Sequence, residues 1–234
     1  MANAKTKATL VILTLNEIDG LKSIFPKIPV RDIDDVFAVD GGSRDGTTDF
    51  FKNNNIQVYT QTKPGRGEAF RIGIEKAKYQ DIVFFSPDGN ENPDDILPII
   101  KYLENGFDMV IASRFMPGSR NEEDEKTFPF RKWTNEIFTM LANLFWNRNT
   151  YVTDTINGFR GIKKDAFLAL RPDGPGYVIE YQLSIRSMKL KKKIKELPTQ
   201  EGHRIGGASK SKSIPTGLLF LKYLIREVFI GRNF

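Results

Sequence analysis

Three polar clusters in the first half of the chain carry residue types that can bind nucleosides, phosphates and cations. The first is Asp40-Gly-Gly-Ser43-Arg-Asp45-Gly-Thr47, which follows a buried apolar run. A carboxylate in this place can accept hydrogen bonds from a base or a ribose, and the glycines let the backbone approach a ligand closely. An ordinary strand-to-helix turn, with Asp45 or Thr47 as the helix cap, explains the same residues, so the cluster alone leaves both interpretations open.

The second cluster, Gly65-Arg66-Gly67-Glu68-Ala69, precedes a helix-like segment. Backbone N–H groups at the start of a helix, with an arginine beside them, suit a diphosphate. A plain loop-to-helix junction accounts for this cluster nearly as well.

The third cluster is Ser86-Pro87-Asp88-Gly89-Asn90. Asp88 and Asn90 are two residues apart and can present oxygen atoms to one side. An Mg²⁺ or Mn²⁺ ion held by such a pair keeps several waters and bridges the phosphates of a ligand. Taken by itself, the cluster also fits an Asp-Gly turn.

Four arginines in the second half of the chain are candidate phosphate ligands, because the planar guanidinium matches a phosphate group. They are Arg114, Arg131, Arg160 and Arg204, and residues 206–210 add a flexible, donor-rich stretch after the last of them. Any one of them is more often a surface charge. The single histidine, His203, has no nucleophile elbow around it, so Ser-His-Asp chemistry has no support.

Apolar, β-branched runs alternate with helix-like segments, and this order predicts an α/β fold with a parallel sheet. Ligands of such sheets bind at the carboxyl ends of the strands. The rule selects residues 14–17, 40–43 and 86–90, which are expected to lie side by side.

Residues 117–126 are charged and turn-rich, which predicts a mobile loop. The predicted strands are 8–15, 36–39, 56–60, 82–85, 108–112, 157–162 and 193–198, and the predicted helices are 17–27, 47–54, 66–78, a segment ending near 104, 130–148, 178–190 and 215–230.

Length and composition predict one main domain at residues 1–213, followed by an amphipathic helix at 214–234. The chain has no cysteine, which excludes disulfides and thiolate metal sites and is typical of a cytoplasmic protein. No apolar run reaches the roughly 18 residues that cross a bilayer, and no signal-peptide pattern opens the chain.

The positive charge is concentrated at the C-terminal end. From Lys189 onward, eleven Lys and Arg stand against three Glu, a net charge of +8, whereas residues 1–188 carry −2. This basic C-terminal region predicts contact with nucleic acid, lipid headgroups or a phosphorylated substrate, or else a solubilising surface.

Taken in order, the clusters resemble glycosyltransferase family 2, and within it the polyprenyl-phosphate sugar synthases of the dolichol-phosphate mannose synthase group. The similarity covers nearly the whole chain, and its strength lies in the order of motifs that are each weak alone. The matching motifs are P-x-Y-N-E at 13–17, V-D-D-G-S-x-D-G-T at 39–47, G-K-G-x-A at 65–69, D-x-D-x-Q at 86–90, G-S-R at 112–114, S-G-F-R at 157–160, and E-x-P with R-x-x-G-x-S-K at 196–210.

The resemblance implies a GT-A fold, a nucleotide-sugar donor and a divalent cation, Mg²⁺ or Mn²⁺. In the family, D-x-D-x-Q holds the metal and the diphosphate, and the position of Asp40 contacts the base. Asp88 keeps the second Asp and Asn90 replaces the Gln as a neutral ligand, whereas Ser86 replaces the first Asp. A site with one carboxylate is expected to bind the ion less tightly or to depend on the donor's phosphates. The implied donor-binding residues are Leu13, Asn16, Glu17, Asp40, Gly65, Arg66, Ser86, Pro87 and Lys210.

For the acceptor, the resemblance implies a lipid phosphate held by Arg114, Arg131 and Arg204, with Asn135 and Ser209 beside them. A phosphate oxygen is already anionic near neutral pH, so it can attack the anomeric carbon without a protein base and invert it. Catalysis then consists of positioning two polyanions and neutralising the leaving diphosphate, which are tasks for Asp88 and the three arginines.

With this resemblance, the basic C-terminal region predicts docking on an anionic membrane or on a membrane subunit. The protein is therefore expected to be cytoplasmic and peripheral at the membrane. If the last helix does not pack on the body of the protein, the residues expected to enter the membrane interface are Leu218, Leu219, Phe220, Tyr223 and Phe229.

Three other functions remain open at this point. One is a family 2 transferase that acts on a soluble sugar or a small phosphorylated acceptor. Another is a degenerate transferase that binds nucleotide without chemistry, which Ser86 motivates. The third is a basic nucleic-acid-binding protein, but no zinc, helix-turn-helix or RNP pattern supports it, so nucleic acid is not expected as a partner.

Overall fold

The protein is built on one seven-stranded sheet, and the computed structural model describes residues 5–206 and 213–234. The strands are β1 (Thr6–Thr14), β2 (Ile33–Asp40), β3 (Gln57–Thr60), β4 (Asp81–Phe85), β5 (Met109–Ser113), β6 (Arg160–Lys163) and β7 (Ile194–Pro198). The helices are α1 (Ile18–Ile24), α2 (Thr47–Asn53), α3 (Arg66–Lys76), α4 (Ile96–Glu104), α5 (Phe130–Trp146), α6 (Lys164–Leu170), α7 (Val178–Lys189) and α8 (Ser213–Ile230).

The strand order is β3-β2-β1-β4-β6-β5-β7, so β1 lies between β2 and β4 and runs parallel to both. The register pairs Thr14 with Asp40 and Ile12 with Phe85. The carboxyl ends of β1, β2 and β4 therefore lie side by side, which confirms the prediction made for the polar residues that follow them.

The sheet is mixed rather than wholly parallel, so the prediction of a parallel sheet is wrong for one strand. β6 lies antiparallel between β4 and β5. Its second residue, Gly161, allows α4 to approach closely, since a Cβ there would lie 2.4 Å from Ile99 Cγ2. β6 then continues directly into α6, a helix that the sequence pattern did not predict.

Helices cover both faces of the sheet, and side chains of β1 alternate between two hydrophobic clusters. Val11 and Leu13 point toward the cluster formed with α3, α5, α6, α7 and α8. Leu10 and Ile12 point toward the cluster formed with α1, α2 and α4. Burial on both faces explains why β1 reads as a nearly continuous apolar run.

Residues 117–126, predicted as a mobile loop, are anchored to the segment that follows β7. The Arg120 N–H donates to Thr199 O, and the Glu201 N–H donates to Arg120 O, both at 3.0 Å. Asn121 and Glu123 are buried. The charges of this segment therefore serve contacts within the protein.

α8 packs on the body of the protein through one side, and this corrects the expectation for Phe220. Phe220 is 4% exposed and lies 5.5 Å from the Tyr181 ring and 5.4 Å from the Phe138 ring of α5. The opposite sides of α5 and α8 each expose an apolar stripe, which we call the α5 stripe and the α8 stripe. The α5 stripe is Trp133, Ile137, Met140 and Leu144, and the α8 stripe is Leu218, Leu221, Ile225 and Phe229.

Neither α8 nor any other helix within residues 5–206 and 213–234 has the length and apolarity needed to cross a membrane.

Candidate active site

A cavity of about 410 Å³ lies at the carboxyl ends of β1 and β4 and extends to α5, α7 and α8. Most of the residues predicted from the sequence line it, from both halves of the chain. Of the predicted residues that the structure describes, Asn16, Asp40, Pro87 and Arg160 do not line it, and Ser209 and Lys210 lie outside the described part of the chain. The predicted residues that do line it are Leu13, Glu17, Gly65, Arg66, Ser86, Asp88, Asn90, Arg114, Arg131, Asn135 and Arg204.

The loop that carries Asp88 is held from two sides. The Gly202 N–H donates to Asn90 O at 2.8 Å, and the Ile205 N–H donates to Asp88 O at 2.7 Å. On the other side, a Cβ on Gly20 of α1 would lie 2.5 Å from the carbonyl oxygen of Pro87. The sequence of α1 therefore permits the close approach that fixes this loop.

The Asp88 carboxylate is paired with Arg204, whose Nη1 donates to Oδ2 at 2.6 Å. Nη2 of the same arginine donates to both oxygens of Glu17, at 2.5 and 2.6 Å. Burial raises the pKa of the Asp88 carboxyl, against the opposing effects of the Asn90 N–H and Arg204. Arg204, predicted as a phosphate ligand, thus joins the ends of β1 and β4.

Arg66, predicted to bind the donor diphosphate, lies against the cavity wall between β4 and α7. Its Nε donates to Glu180, and its Nη1 donates to Ser86 Oγ at 3.0 Å. Gly158 makes room for it, since a Cβ there would lie 2.1 Å from Nη2. Behind this group, Glu91 Oε2 accepts the Ser86 N–H at 2.6 Å, and burial raises the pKa of Glu91 to about 8.

Arg114 and Arg131 lie at the α5 side of the cavity, each with a carboxylate partner. Arg114 donates to both oxygens of Asp154, from Nε at 2.7 Å and from Nη2 at 3.1 Å. Arg131 Nη1 donates to Glu122 Oε1 at 3.2 Å. The other oxygen of Glu122 accepts from Asn90 Nδ2 at 2.7 Å. Glu122 therefore links the Asp88 loop to α5.

Arg160, proposed from the sequence as a further phosphate clamp, is buried behind the cavity, so that prediction is wrong. Its Nε donates to Asn157 O at 2.8 Å and its Nη1 to Glu180 O at 2.9 Å. Burial lowers its pKa to about 10. The guanidinium satisfies carbonyl groups at the start of β6 and in α7, which is a structural task.

Asp40 and Asn16, both predicted to contact the donor, shape the turns beside the cavity instead of lining it. Asp40 is 1% exposed, and its Oδ2 accepts the N–H groups of Gly42 and Ser43 at 2.8 Å each. Asn16 has a φ of 50°, and its Oδ1 accepts the Arg44 N–H at 2.8 Å. Their hydrogen bonds fix the loop from which Gly41 reaches the cavity.

Several residues of the site carry no signal in the sequence. Gln61 lines the cavity beside the end of β2, where its Nε2 donates to Gly65 O at 2.8 Å. Glu91, Glu122 and Glu180 lie outside recognisable motifs, and Glu122 is one of four consecutive acidic residues, 122–125. Only Glu91 could have been suspected, because it directly follows the Asp-Gly-Asn cluster.

Three buried side-chain atoms have no hydrogen-bond partner in the described part of the chain: Asn90 Oδ1, Glu180 Oε2 and Arg204 Nε. All three residues line the same cavity. Buried polar atoms in folded proteins are nearly always paired, so three orphans around one cavity indicate a site for a polar ligand.

Asp88 and Asn90 also fit a hard divalent cation. The Asp88 carboxylate and the unpartnered Asn90 Oδ1 are oxygen ligands of the kind that Mg²⁺ and Mn²⁺ prefer. No cluster of three or more acidic or histidine ligands occurs within residues 5–206 and 213–234. A cation at Asp88 would therefore take further oxygens from water and from the phosphates of a ligand.

Known proteins are similar to this chain in sequence and in structure. The undecaprenyl-phosphate mannosyltransferase of Micrococcus luteus is 27% identical over 216 residues, covering 86% of this chain and 85% of that protein. The dolichol-phosphate mannosyltransferase of Pyrococcus furiosus is 25% identical over 229 residues, covering 94% of this chain but only 63% of the longer relative.

Among solved structures, glucosyl-3-phosphoglycerate synthase from Mycobacterium tuberculosis, in complex with Mn²⁺, UDP and phosphoglyceric acid, has a TM-score of 0.73. It is 18% identical, and the alignment covers 99% of this chain and 80% of that one. The likeness confirms the GT-A fold.

Residues 9–171 match the family described as Glycosyl transferase family 2. The chain therefore belongs to glycosyl transferase family 2 and is a glycosyltransferase.

Proposed function

We propose that this protein transfers a hexose from a nucleotide-sugar to a polyprenyl phosphate, with inversion, at the cytoplasmic face of a membrane. The observation that carries the proposal is the single cavity that joins the ends of β1 and β4 to arginines of the second half of the chain. The mannosyltransferases similar to this chain are named for polyprenyl-phosphate acceptors, which favours a lipid phosphate here as well.

The donor occupies the end of the cavity nearest the sheet. Leu13, Gly41 and Gln61 form the slot for the nucleoside. The diphosphate lies toward Arg204, whose unpartnered Nε is an N–H donor. Asp88 and Asn90 would hold Mg²⁺ or Mn²⁺, which when bound supplies positive charge to the departing diphosphate.

The acceptor phosphate occupies the α5 end, between Arg114 and Arg131. A guanidinium has five N–H donors, so Arg131, with one hydrogen bond to Glu122, retains donors for a phosphate. Asn135 lies one helical turn further along α5 and also lines the cavity.

The reaction requires no protein base, because the acceptor phosphate is already anionic. One of its oxygens forms a bond to the anomeric carbon while the bond from that carbon to the donor diphosphate breaks, and in-line attack inverts the centre. The arginines bring two anions together and neutralise the charge that grows on the leaving diphosphate.

A membrane-bound acceptor accounts for the exposed apolar residues on the outer surfaces of α5 and α8. Phe130 of α5 and Thr216 of α8 line the cavity, and the α5 and α8 stripes extend away from it along the same two helices. Apolar stripes on a protein whose last 46 residues carry a net charge of +8 suit the surface of an anionic bilayer. The stripes would place the cavity mouth near the phosphate of the lipid or beside a membrane subunit.

A soluble phosphorylated acceptor is the second candidate. The structural neighbour described above was solved with phosphoglyceric acid, a small phosphorylated molecule. The same arginines would serve that acceptor, whereas the exposed stripes would then have no part in the reaction.

Transfer assays distinguish the two candidates. The protein with Mn²⁺ is incubated with GDP-mannose, UDP-glucose or UDP-GlcNAc, and with either undecaprenyl phosphate in detergent or 3-phosphoglycerate. We expect a lipid-linked sugar from one donor and none on 3-phosphoglycerate. Transfer to 3-phosphoglycerate alone would support the second candidate, and no turnover of any nucleotide-sugar would contradict both.

A further inference from the structure

Glu180 is a buried carboxylate in the cavity wall that the transfer reaction described above does not use. It lies in the first turn of α7, is 1% exposed, and binds Arg66 through Oε1, whereas Oε2 has no partner among the described residues. An unpaired charged oxygen in a buried place is costly, because it has lost its water without gaining a donor. The missing donor therefore belongs to a molecule that enters the cavity.

The contacts of Arg66, the partner of Glu180, lead toward both ends of the cavity. On one side, Arg66 connects Glu180 to Ser86, two residues before Asp88. On the other side, Gly158 lies against Arg66, and the neighbouring Asn157 donates its N–H to Asp154, the partner of Arg114. Glu180 therefore lines the cavity beside Arg66 and close to the diphosphate end, where the sugar attached to the diphosphate must lie.

The chemistry of the Glu180 carboxylate indicates which group of the ligand it binds. It accepts hydrogen bonds and repels phosphate oxygens, so a hydroxyl is the fitting partner. The nucleoside hydroxyls belong to the slot formed by Leu13, Gly41 and Gln61 at the other end. We propose that Glu180 binds a hydroxyl of the donor hexose through Oε2 and thereby contributes to the choice of sugar. This inference rests on the proposed function, whose donor it specifies.

The test compares nucleotide-sugars with the nucleoside diphosphates that lack the sugar. Binding of UDP and UDP-glucose, and of GDP and GDP-mannose, is measured by calorimetry with Mn²⁺ for the unchanged protein and for Glu180→Gln. We expect the variant to bind the nucleotide-sugar about tenfold more weakly and the diphosphate equally well. Equal losses for both probes, or no loss for either, would overturn the inference.

Glu91→Gln is the matched control, because Glu91 is the other carboxylate beside Arg66, with 3.8 Å between Glu91 Oε1 and Arg66 Nη2. It is expected to leave the ratio of the two affinities unchanged. A ratio altered as much as in Glu180→Gln would assign the effect to Arg66 and overturn the inference.

Monodeoxy analogues of the accepted nucleotide-sugar identify the hydroxyl. One analogue is expected to bind the unchanged protein more weakly than the parent sugar but to bind Glu180→Gln as well as the parent does. If every analogue loses affinity equally in both proteins, Glu180 contacts no sugar hydroxyl. If the unchanged protein binds none of the four probes, the proposed function fails, and this inference fails with it.

Discussion

The two ends of the cavity that we assign to the donor and to the acceptor are held together in different ways. At the donor end, hydrogen bonds from backbone N–H groups fix the turns, as in the two that the Asp40 carboxylate accepts, and Arg204 adds charge pairs with Glu17 and Asp88. At the acceptor end, charge pairs fix the arginines, as in Arg114 with Asp154 and Arg131 with Glu122. A backbone turn keeps its shape when a ligand arrives, whereas a paired arginine must share its donors with the ligand. The comparison predicts that small backbone changes harm the donor end more than the acceptor end, whereas charge changes harm both ends.

The largest effect is expected for Asp88→Ala, which removes the carboxylate at the diphosphate end. Sugar transfer should fall by about 1,000-fold, because charge stabilisation of the leaving group is lost. The measurement is the transfer rate at saturating donor and acceptor, with the melting temperature as a check on folding. Unchanged transfer by a folded Asp88→Ala protein would remove Asp88 from the site.

Gly20→Ala tests whether the backbone alone positions that carboxylate. The new Cβ would lie 2.5 Å from Pro87 O, so the Asp88 loop must shift without any change in charge. We expect transfer to fall between about tenfold and 100-fold. Ser23→Ala, on the exposed side of the same helix, is the control and should keep full activity. If Gly20→Ala is as active as Ser23→Ala, the donor end tolerates backbone displacement and the comparison fails.

Arg131→Ala and Gln61→Ala separate the two ends kinetically. Arg131→Ala should raise the KM for the acceptor about tenfold and leave the KM for the donor nearly unchanged, since a charged hydrogen bond to phosphate is lost. Gln61→Ala should raise the KM for the donor instead, because its amide supports Gly65 at the nucleoside slot. Steady-state kinetics with each substrate varied in turn provides both values. If either variant changes the KM for the donor and the KM for the acceptor equally, the two substrates do not bind at separate ends of the cavity.

Phe229→Ser extends the comparison to the α8 stripe, where Phe229 is 86% exposed. Loss of this side chain should weaken sedimentation with phosphatidylglycerol vesicles about tenfold, because a buried aromatic ring contributes roughly 1.5–3 kcal/mol. Leu168→Ser, at an exposed position of α6, serves as the control and should bind vesicles normally. Equal vesicle binding by both variants would leave the α8 stripe without a role at the membrane.

The prediction for Glu91→Gln concerns stability against pH and not activity. Burial raises the pKa of Glu91 to about 8 in the folded protein, above its ordinary value of 4.5. Between these values the folded state holds the proton more tightly, so the free energy of unfolding should fall as pH rises from about 5 to 8. The slope contributed by this group is at most about 1.4 kcal/mol per pH unit, and Glu91→Gln should remove it. Parallel stability curves for the two proteins in urea would contradict the shifted pKa.

The donor end could be predicted from the sequence because strands buried on both faces, followed by glycine and acidic residues, leave a local pattern. The positions of Asp88 and Gly65 follow from that pattern. The roles of Asp40 and Asn16 do not, because the partners of a carboxylate or an amide depend on how its turn folds. The role of Arg160 was mispredicted for a similar reason, since the carbonyl groups that surround it come from two segments, residues 155–157 and α7.

The acceptor end was predictable only as a set of arginines. The sequence does not show which carboxylates pair with them, for example Asp154, which lies 40 positions after Arg114. Glu180 has no local signal, since an acidic residue in the first turn of a helix is ordinary. The antiparallel direction of β6 could not be predicted, because its four residues, Arg-Gly-Ile-Lys, form no pattern that depends on strand direction.

The pair formed by Glu17 and Arg204 joins residues that are 187 positions apart. During synthesis the N-terminal part of a chain leaves the ribosome first, so β1, β2 and β4 can assemble while Arg204 is still being added. The nascent protein therefore holds an incomplete diphosphate site until translation has passed residue 205, when the Ile205 N–H can bind Asp88 O. Under the proposed function, a chain interrupted before residue 204 would lack the guanidinium that joins Glu17 to Asp88.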